Sequence, residues 1–297
     1  METIGHCLVC KTRVGGKIYL QPRDYLVTGR TFSIVQCEDC GFLFTSPRPS
    51  RAEIHKYYAS SEYVSHTDKS RNFQEFVYQL VKRYMLQRKL RLLKKHTTAN
   101  MNRILDYGCG TGSFIKLAQK AGFDVTGLEP SEGARKTASQ KGLKVLSSDE
   151  SVFTNHTETF DAVTLWHVLE HLHSFPGILD KFYTKLSDSG VLILALPMAN
   201  SADAKQYGAY WAALDVPRHL YHFTPDTIVR VCNEKGFKLL QRRPLLFDSF
   251  YVSLLSDKNK KSRCATIKAL YSGIVSNITA MLSPQPYSSE IFVFHKA

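Results

Sequence analysis

The sequence predicts an α/β fold: a doubly wound, mostly parallel sheet of seven strands, with a small cysteine-rich ribbon and a helical linker in front of it. Two observations carry the prediction. From Arg103 onward, short apolar runs alternate with helical patterns, and the run "VLILALP" (191–197) lacks polar alternation, as a strand covered on both faces requires. Ahead of that region stand two Cys-x-x-Cys pairs, Cys7 with Cys10 and Cys37 with Cys40, separated by β-rich stretches.

The elements follow in order. Residues 1–46 form the ribbon, with "KIYL" and "TFSIVQC" as strands flanking a turn. Each cysteine pair can present two thiolates to one ion, and four thiolates make the closed tetrahedral shell of a structural zinc site. So small a segment buries little surface, and the metal would supply much of its folding free energy. Residues 47–99 are linker and helix. "TSPRPS" is punctuated by Pro and Ser, and Phe73, Phe76, Val77, Leu80 and Tyr84 recur at helical spacing, continuing through Leu90 and Leu93.

Residues 100–297 hold the sheet. "RILDY" is a strand and "SFIKLAQKAG" a helix; "DVTGLEP" is a strand and "SEGARKTASQKG" a helix started by Ser131. The strands "LKVL" and "FDAVTLW", a helix around "FPGILDKFYTKL" and the strand "VLILALP" come next. Thr224 can cap a helix whose first position is Pro225, which feeds the strand "FKLLQRR"; "EIFVFHK" is the last strand. An insertion at about 248–287 separates those final two strands.

Composition bounds the function. With 297 residues, 43% of them hydrophobic, the chain can build an ordinary core, which sets disorder aside. The formal charge of +13 suits an anionic partner such as nucleic acid, a phosphorylated substrate or an acidic membrane face, and equally a basic enzyme. The first residues lack the basic start and apolar stretch of a secretory signal, and no run reaches the roughly 20 apolar residues that cross a bilayer. The expectation is a soluble, cytoplasmic protein, and paired cysteines suit a reducing compartment.

The stretch "LDYGCGTGSF" (105–114) lies at the carboxyl end of the first sheet strand, where open α/β sheets bind ligands. Glycine lets the backbone approach a ligand with no Cβ in the way. The pattern is GxGxG rather than the dinucleotide GxGxxG, and no Gly-Lys-Ser/Thr follows as in a phosphate-binding Walker loop. Glu129 ends the second strand, seventeen residues beyond Gly112, where an acid can accept hydrogen bonds from two ribose hydroxyls.

With "LDYGCGTG", "GLEPS", "SSDE" and "FDAVTLWHVLEHL" in this order, roughly residues 100 to 297 resemble the class I S-adenosylmethionine-dependent methyltransferases, whose sheet is a seven-stranded Rossmann-like one. The resemblance implies that Asp106, Gly108, Gly110 and Gly112 hold the methionine part of S-adenosyl-L-methionine, and that Glu129 binds the ribose. Ser148 and Asp149 would lie beside the adenine, and Trp166 and His167 beside the sulfonium. Within the family the sequence looks like the branch containing quinone-biosynthesis O-methyltransferases. The added ribbon is similar to the zinc module of sugar C-methyltransferases, whose carboxyl-terminal domain is not recognisable here. His167 to His171 also spell HxxEH, an inverted zinc-protease motif. That pentapeptide begins where a strand ends, and the methyltransferase family commonly shows "LEHL" there.

Methyl transfer from a sulfonium asks the protein for alignment and for removal of a proton from the acceptor. "YWAALDVPRHLYHFT", after the fifth strand, is dense in suitable groups: Asp215, Arg218, His219, Tyr221 and His222. His219 is the expected base and Arg218 a clamp for an anionic acceptor. The expected acceptor is a small molecule of quinone, sugar, lipid-linked or natural-product type. An RNA-modifying enzyme is the alternative, with Lys11, Arg13, Lys17, Arg23 and Arg30 of the ribbon tracking a backbone. "LWHV" stands where base methyltransferases of this superfamily usually carry Asn/Asp-Pro-Pro-aromatic, which argues against nucleic acid. A third reading is a binding module with vestigial cofactor binding. In the insertion, "KNKKSR" precedes Ile267, Leu270, Tyr271, Ile274, Val275, Ile278, Met281 and Leu282 at helical spacing. That helix suits either a lid or dimer surface packed on the domain, or contact with an anionic membrane.

Overall fold

The computed structural model describes residues 1–58, 73–98, 101–147 and 159–297. The ribbon contributes β1 (Ile18–Leu20), β2 (Ile34–Gln36) and β3 (Leu43–Thr45). Helix α1 (Phe73–His96) leads into β4 (Arg103–Tyr107), α2 (Ser113–Lys120), β5 (Asp124–Leu128), α3 (Glu132–Ser139) and β6 (Val145–Leu146). After them come β7 (Phe160–Trp166), α4 (Phe175–Lys185), β8 (Leu186–Pro197), α5 (Ala202–Tyr207) and β9 (Tyr221–His222). The chain closes with α6 (Pro225–Glu234), β10 (Phe237–Pro244), α7 (Asp248–Asn259), α8 (Ala265–Leu282) and β11 (Ser289–Lys296).

Seven strands form one sheet in the order β10-β11-β8-β7-β4-β5-β6. Pairs from β6 to β8 are parallel, and β11 is antiparallel to both neighbours. The strands are buried because they are apolar on both faces: residues 190–198 of β8 and its end are buried without a break. Local signals agree with the tertiary result. The Ser131 hydroxyl accepts from Ala134 N, and Thr224 with Thr227 makes a reciprocal capping box ahead of Pro225. The order reverses between β4 and β7, so the cleft at their carboxyl ends is the topological switch point.

Three features differ from the sequence reading. First, the ribbon is not a free module. Its sheet runs β1-β2-β3-β9, so its fourth strand comes from the loop after β8. Phe42 packs against Phe175, Tyr221 and Phe223 at 5.7–5.9 Å between ring centroids, making one apolar core from both parts. Second, "TSPRPS" is seated rather than a tether. Arg48 is buried and donates to Glu2, the Tyr221 hydroxyl and the His173 carbonyl, because a guanidinium taken from water needs every donor partnered.

Third, helical periodicity located the helices but did not fix which face the domain covers. Leu80 and Tyr84 of α1 are exposed, while Leu90, Leu92 and Leu93 are buried. On α8 the face of small residues packs inward: Ala269, Ser272, Gly273 and Ser276 are buried against α7, where a Cβ on Gly273 would collide with the Phe250 ring. Ile267, Leu270, Tyr271, Ile274, Ile278, Met281 and Leu282 face outward, with Leu282 75% exposed. Close helix approach over small side chains wins here, leaving the apolar stripe uncovered. Among the described residues no helix is long and apolar enough to cross a membrane.

Candidate functional site

The glycine loop turns from β4 into α2 with Gly108, Gly110 and Gly112 at φ of 77°, 55° and 79°. A side chain on Gly108 would collide with Val168, and one on Gly112 with Leu143. Gly110 differs, because a Cβ there would meet nothing within 4 Å. Its bare backbone therefore borders open space. The loop is pinned by Gly108 N and Cys109 N, which donate to the Leu128 carbonyl at 2.7 and 3.0 Å. Gly110 N donates to Glu129 Oε2 at 2.9 Å, and Ser131 N to Glu129 Oε1 at 2.8 Å. Each carboxylate oxygen keeps a lone pair for a further donor.

Asp106 lies beneath the loop, buried, accepting from the Thr164 hydroxyl at 2.6 Å. Burial, reinforced by the Glu129 charge, pushes its carboxyl up to about 7 against the pull of Thr164 and Lys89. Lys89 is a site residue that the sequence did not betray. Its Nζ stands 4.4 Å from the Trp166 ring centroid, and burial holds its pKa below that of an ordinary lysine. Trp166 stands edge-on to Phe114 at 5.2 Å, and its buried Nε1–H makes no well-formed hydrogen bond but is directed towards the Asp106 carboxylate, which it helps to ionise. An open glycine and two carboxylates at a switch point fit a ligand carrying hydroxyls and an amino group. Ser148 and Asp149 lie outside the described residues.

The other wall is built from the turn after β7 and the loop before β9. His167 takes a positive φ of 58°, so the pentapeptide is no continuous helix and the protease arrangement of its two histidines does not form. His167 Nε2 lies 3.2 Å from Asp248 and its Nδ1 3.6 Å from Glu170. Burial works against its charge, yet these two carboxylates hold its pKa up at about 9. Glu170 is fully buried, and neither of its oxygens has a hydrogen-bond partner. Beside it the His171 and His219 rings meet edge to face at 4.5 Å. Burial and the neighbouring His219 hold His171 down at about 4.

The structure brings His219 into this cluster and takes Arg218 out of it. His219 Nδ1 donates to the Ala213 carbonyl at 2.9 Å, leaving Nε2 as the free nitrogen. Arg218, 1% exposed, spends its guanidinium on Asp215 at 2.7 Å, Asp24 at 3.1 Å and the Tyr57 carbonyl at 3.1 Å. Arg218 is a clasp between ribbon and loop, and Asp24 is the partner that the sequence concealed, 194 positions away. Arg218→Gln should destabilise the fold by about 3–5 kcal/mol, since it leaves a buried carboxylate uncompensated. Chemical denaturation checks this; a loss under about 1 kcal/mol would exclude the clasp. Tyr221 and His222 are also structural, the first donating to the His173 carbonyl at 2.7 Å and the second 3.1 Å from the Thr45 hydroxyl.

The four ribbon cysteines converge. One Sγ from each of Cys7, Cys10, Cys37 and Cys40 lies within 4.8 Å of the others, with Cys7–Cys40 and Cys10–Cys37 at 3.5 Å. Tetrahedral bonds of about 2.3 Å would set sulfurs roughly 3.8 Å apart, so the donor set fits zinc. The two knuckles repeat one backbone design. Cys7 N and Cys37 N donate to the Thr12 and Phe42 carbonyls, while Lys11 N and Gly41 N donate back to the Cys7 and Cys37 carbonyls. Lys11 and Gly41 both take positive φ, at 65° and 72°.

A switch-point glycine loop, an acid ending the next strand and an antiparallel last strand define the Rossmann-like methyltransferase class. Residues 73–242 match a family model described as a methyltransferase domain, and the chain belongs to that family. An uncharacterized methyltransferase of Oceanobacillus iheyensis is 27% identical over 119 residues, which cover 39% of this chain and 56% of that one. A ubiquinone biosynthesis O-methyltransferase of Actinobacillus pleuropneumoniae is 34% identical over 104 residues, covering 31% and 44%. The matches thus span about half the length of these curated relatives. Among solved structures, magnesium protoporphyrin IX methyltransferase from Synechocystis with bound SAH aligns at a TM-score of 0.54 and 15% identity, over 82% of this chain and 98% of that one. A SAM-dependent methyltransferase from Archaeoglobus fulgidus aligns at 0.50 and 18% identity, over 76% and 100%. At these identities the structural likeness shows the fold.

Proposed function

We propose that the protein is an S-adenosylmethionine-dependent methyltransferase acting on a small molecule, with a structural zinc in its ribbon. The observation that carries the reading is the open space over Gly110, whose N–H is held by Glu129, in a loop that follows the buried Asp106 at the switch point. When bound, the cofactor supplies a methyl group on a sulfonium. In this reading Asp106 and the loop backbone hold its amino-acid end, Glu129 accepts from the ribose, and Trp166 and His167 line the reacting side. Ser148 and Asp149 remain assigned to the adenine by family likeness alone. Handling of the acceptor's proton falls to Glu170 and His219, the polar groups in the wall beside Val168 and the loop. Cys7, Cys10, Cys37 and Cys40 hold the zinc, which acts as a cross-link.

Calorimetry with S-adenosylhomocysteine (SAH) tests the reading; heat from a nicotinamide dinucleotide and none from SAH would overturn it. The same experiment carries a pH prediction. Asp106 has a folded pKa raised to about 7, so in the free protein its carboxylate is disfavoured, and the strain of ionising it grows as pH rises through that value. The ammonium of the cofactor favours the ionised form, so binding expels a proton. SAH affinity should rise by up to about tenfold between pH 6 and 8 and then level off. Proton release is read from the dependence of the heat on buffer ionisation enthalpy, and Asp106→Asn should abolish it.

The acceptor class is drawn from the outward apolar face of α8 and the neighbouring Lys258, Lys260, Lys261, Arg263 and Lys268. Asp248, at the start of α7, touches His167, so the helical pair borders the reacting wall. An apolar stripe beside cations suits an anionic lipid surface and a lipid-linked or quinone-like acceptor. The chain should co-sediment with vesicles containing anionic phospholipid and not with neutral ones, and Ile267→Ser with Leu270→Ser and Ile274→Ser should cut that by about tenfold or more. Equal binding to neutral vesicles, or none to either, refutes the membrane contact.

A further inference from the structure

Resting on the transferase reading and deepening it, we propose that Glu170, His171 and His219 bind a divalent transition-metal ion that activates a hydroxyl acceptor, which makes the reaction an O-methylation. One ligand atom from each of the three residues lies within 4.8 Å of the other two. Glu170 is completely buried, yet both its oxygens lack a hydrogen bond. The His167 imidazole, held charged by Asp248 and Glu170, stands 3.6 Å from Glu170 Oε1 and is shared with Asp248, so it offsets the buried carboxylate only in part.

The tautomers sharpen the case. His219 Nδ1 donates to the Ala213 carbonyl, which leaves a lone pair on Nε2, 3.9 Å from Glu170 Oε1. His171 Nδ1 lies 3.1 Å from the Arg218 carbonyl and 3.0 Å from the Tyr58 hydroxyl, which leaves its Nε2 lone pair free as well. Two imidazoles fixed through their far nitrogens are the arrangement that orients metal-binding histidines. Three acceptor atoms therefore face one another with no donor among them. Among the described residues the nearby donor is His167 Nδ1, at 3.6 Å beyond hydrogen-bond reach and drawn towards Asp248 through its other nitrogen. A proton could bridge only two of the three acceptors, whereas a metal ion meets them all.

Two imidazoles and one carboxylate suit a first-row divalent ion and leave coordination positions for water or substrate. The cluster sits in the wall next to Val168, against which Gly108 packs, so the ion would stand beside the cofactor loop. A hydroxyl on such an ion gives its proton to water at a lower pH than it would when free. Glu170 and His219 then act as ligands, and the ion replaces them as the group that activates the acceptor.

The test uses the full chain with its cysteine cluster loaded with zinc, titrated with Mn2+ and followed by electron paramagnetic resonance. Mn2+ prefers nitrogen and oxygen donors and leaves thiolates alone. One bound Mn2+ per chain is expected, with nitrogen couplings from two imidazoles in pulsed spectra. Glu170→Gln and His219→Gln should each weaken it by more than about 100-fold, since even the outer partners of such ligands are worth 10–100-fold. SAH heat retained in the variants shows that they fold; if they do not, the imidazole couplings of the wild-type chain decide. Wild-type protein that binds SAH but takes up no Mn2+, or whose bound Mn2+ shows no imidazole coupling, overturns the metal site and leaves the transferase reading intact. Mn2+ binding with no SAH heat overturns the transferase reading and keeps the site.

Discussion

Gly110→Val is expected to abolish SAH binding and methyl transfer in a chain that still folds. Gly110 borders open space, so a new side chain has nowhere to project except the cradle that the proposed cofactor fills. Its φ of 55° adds about 1–2 kcal/mol of backbone strain for a residue with a Cβ. The N–H to Glu129 Oε2 bond has to survive that strain, or the loop and Glu129 separate. Affinity for SAH should fall by at least about 100-fold, the scale on which misplaced binding groups fail. Gly108→Ala and Gly112→Ala provide the contrast, since their methyl groups strike Val168 and Leu143 and should lower the melting temperature first. Wild-type SAH affinity in Gly110→Val would mean that the ligand lies elsewhere.

The second large effect is loss of the proposed zinc. Cys37→Ala removes a ligand from a knuckle whose apparent metal affinity is worth about 10–16 kcal/mol in isolated modules. A third of that is about 4 kcal/mol, enough to move the melting temperature by roughly 6 °C in a chain of 297 residues. The damage should spread beyond the ribbon. Trp211 is buried in one core with Phe32, Ile34 and Leu43 of the ribbon, and its Nε1 donates to Asp203. Metal removal should therefore shift Trp211 emission to the red as the thermal transition falls. A chelated or Cys37→Ala sample that melts as the wild type does would show that the thiolates are not a structural site.

Short-range features of the fold were legible because their causes are short-range. Ser131, Thr224 and Pro225 announced helix starts through backbone groups a few residues away, and "VLILALP" announced burial through its own composition. The glycine loop and Glu129 were legible for the same reason, since steric freedom and chain reversal belong to the residues themselves. The cysteine knuckles repeat one local pattern twice. Hidden features depended on distant partners. A lysine within a helix reads as solvated, and only the fold lays Lys89 over Trp166. Arg218 looked like a substrate clamp because Asp24, which consumes it, lies far away along the chain. Periodicity located α8 but left its covered face open, because that face is decided by Gly273, which lets Phe250 come close. His167–His171 spelled a motif whose helix never forms, while Glu170 and His171 find His219 through the loop instead.

The strand that His222 lends to the ribbon also sets an order of events during synthesis. Thr45 bonds to the His219 carbonyl, 174 positions further on. At 5–20 residues per second, the ribosome takes roughly 10–35 s to deliver that stretch. Throughout this interval Leu43–Thr45 presents a vacant hydrogen-bonding edge that any other nascent strand could occupy. Early metal capture by the knuckles would hold the remaining strands in register until the rightful partner emerges, so starving cells of zinc should show first as aggregation of newly made chains rather than as inactivation of mature ones.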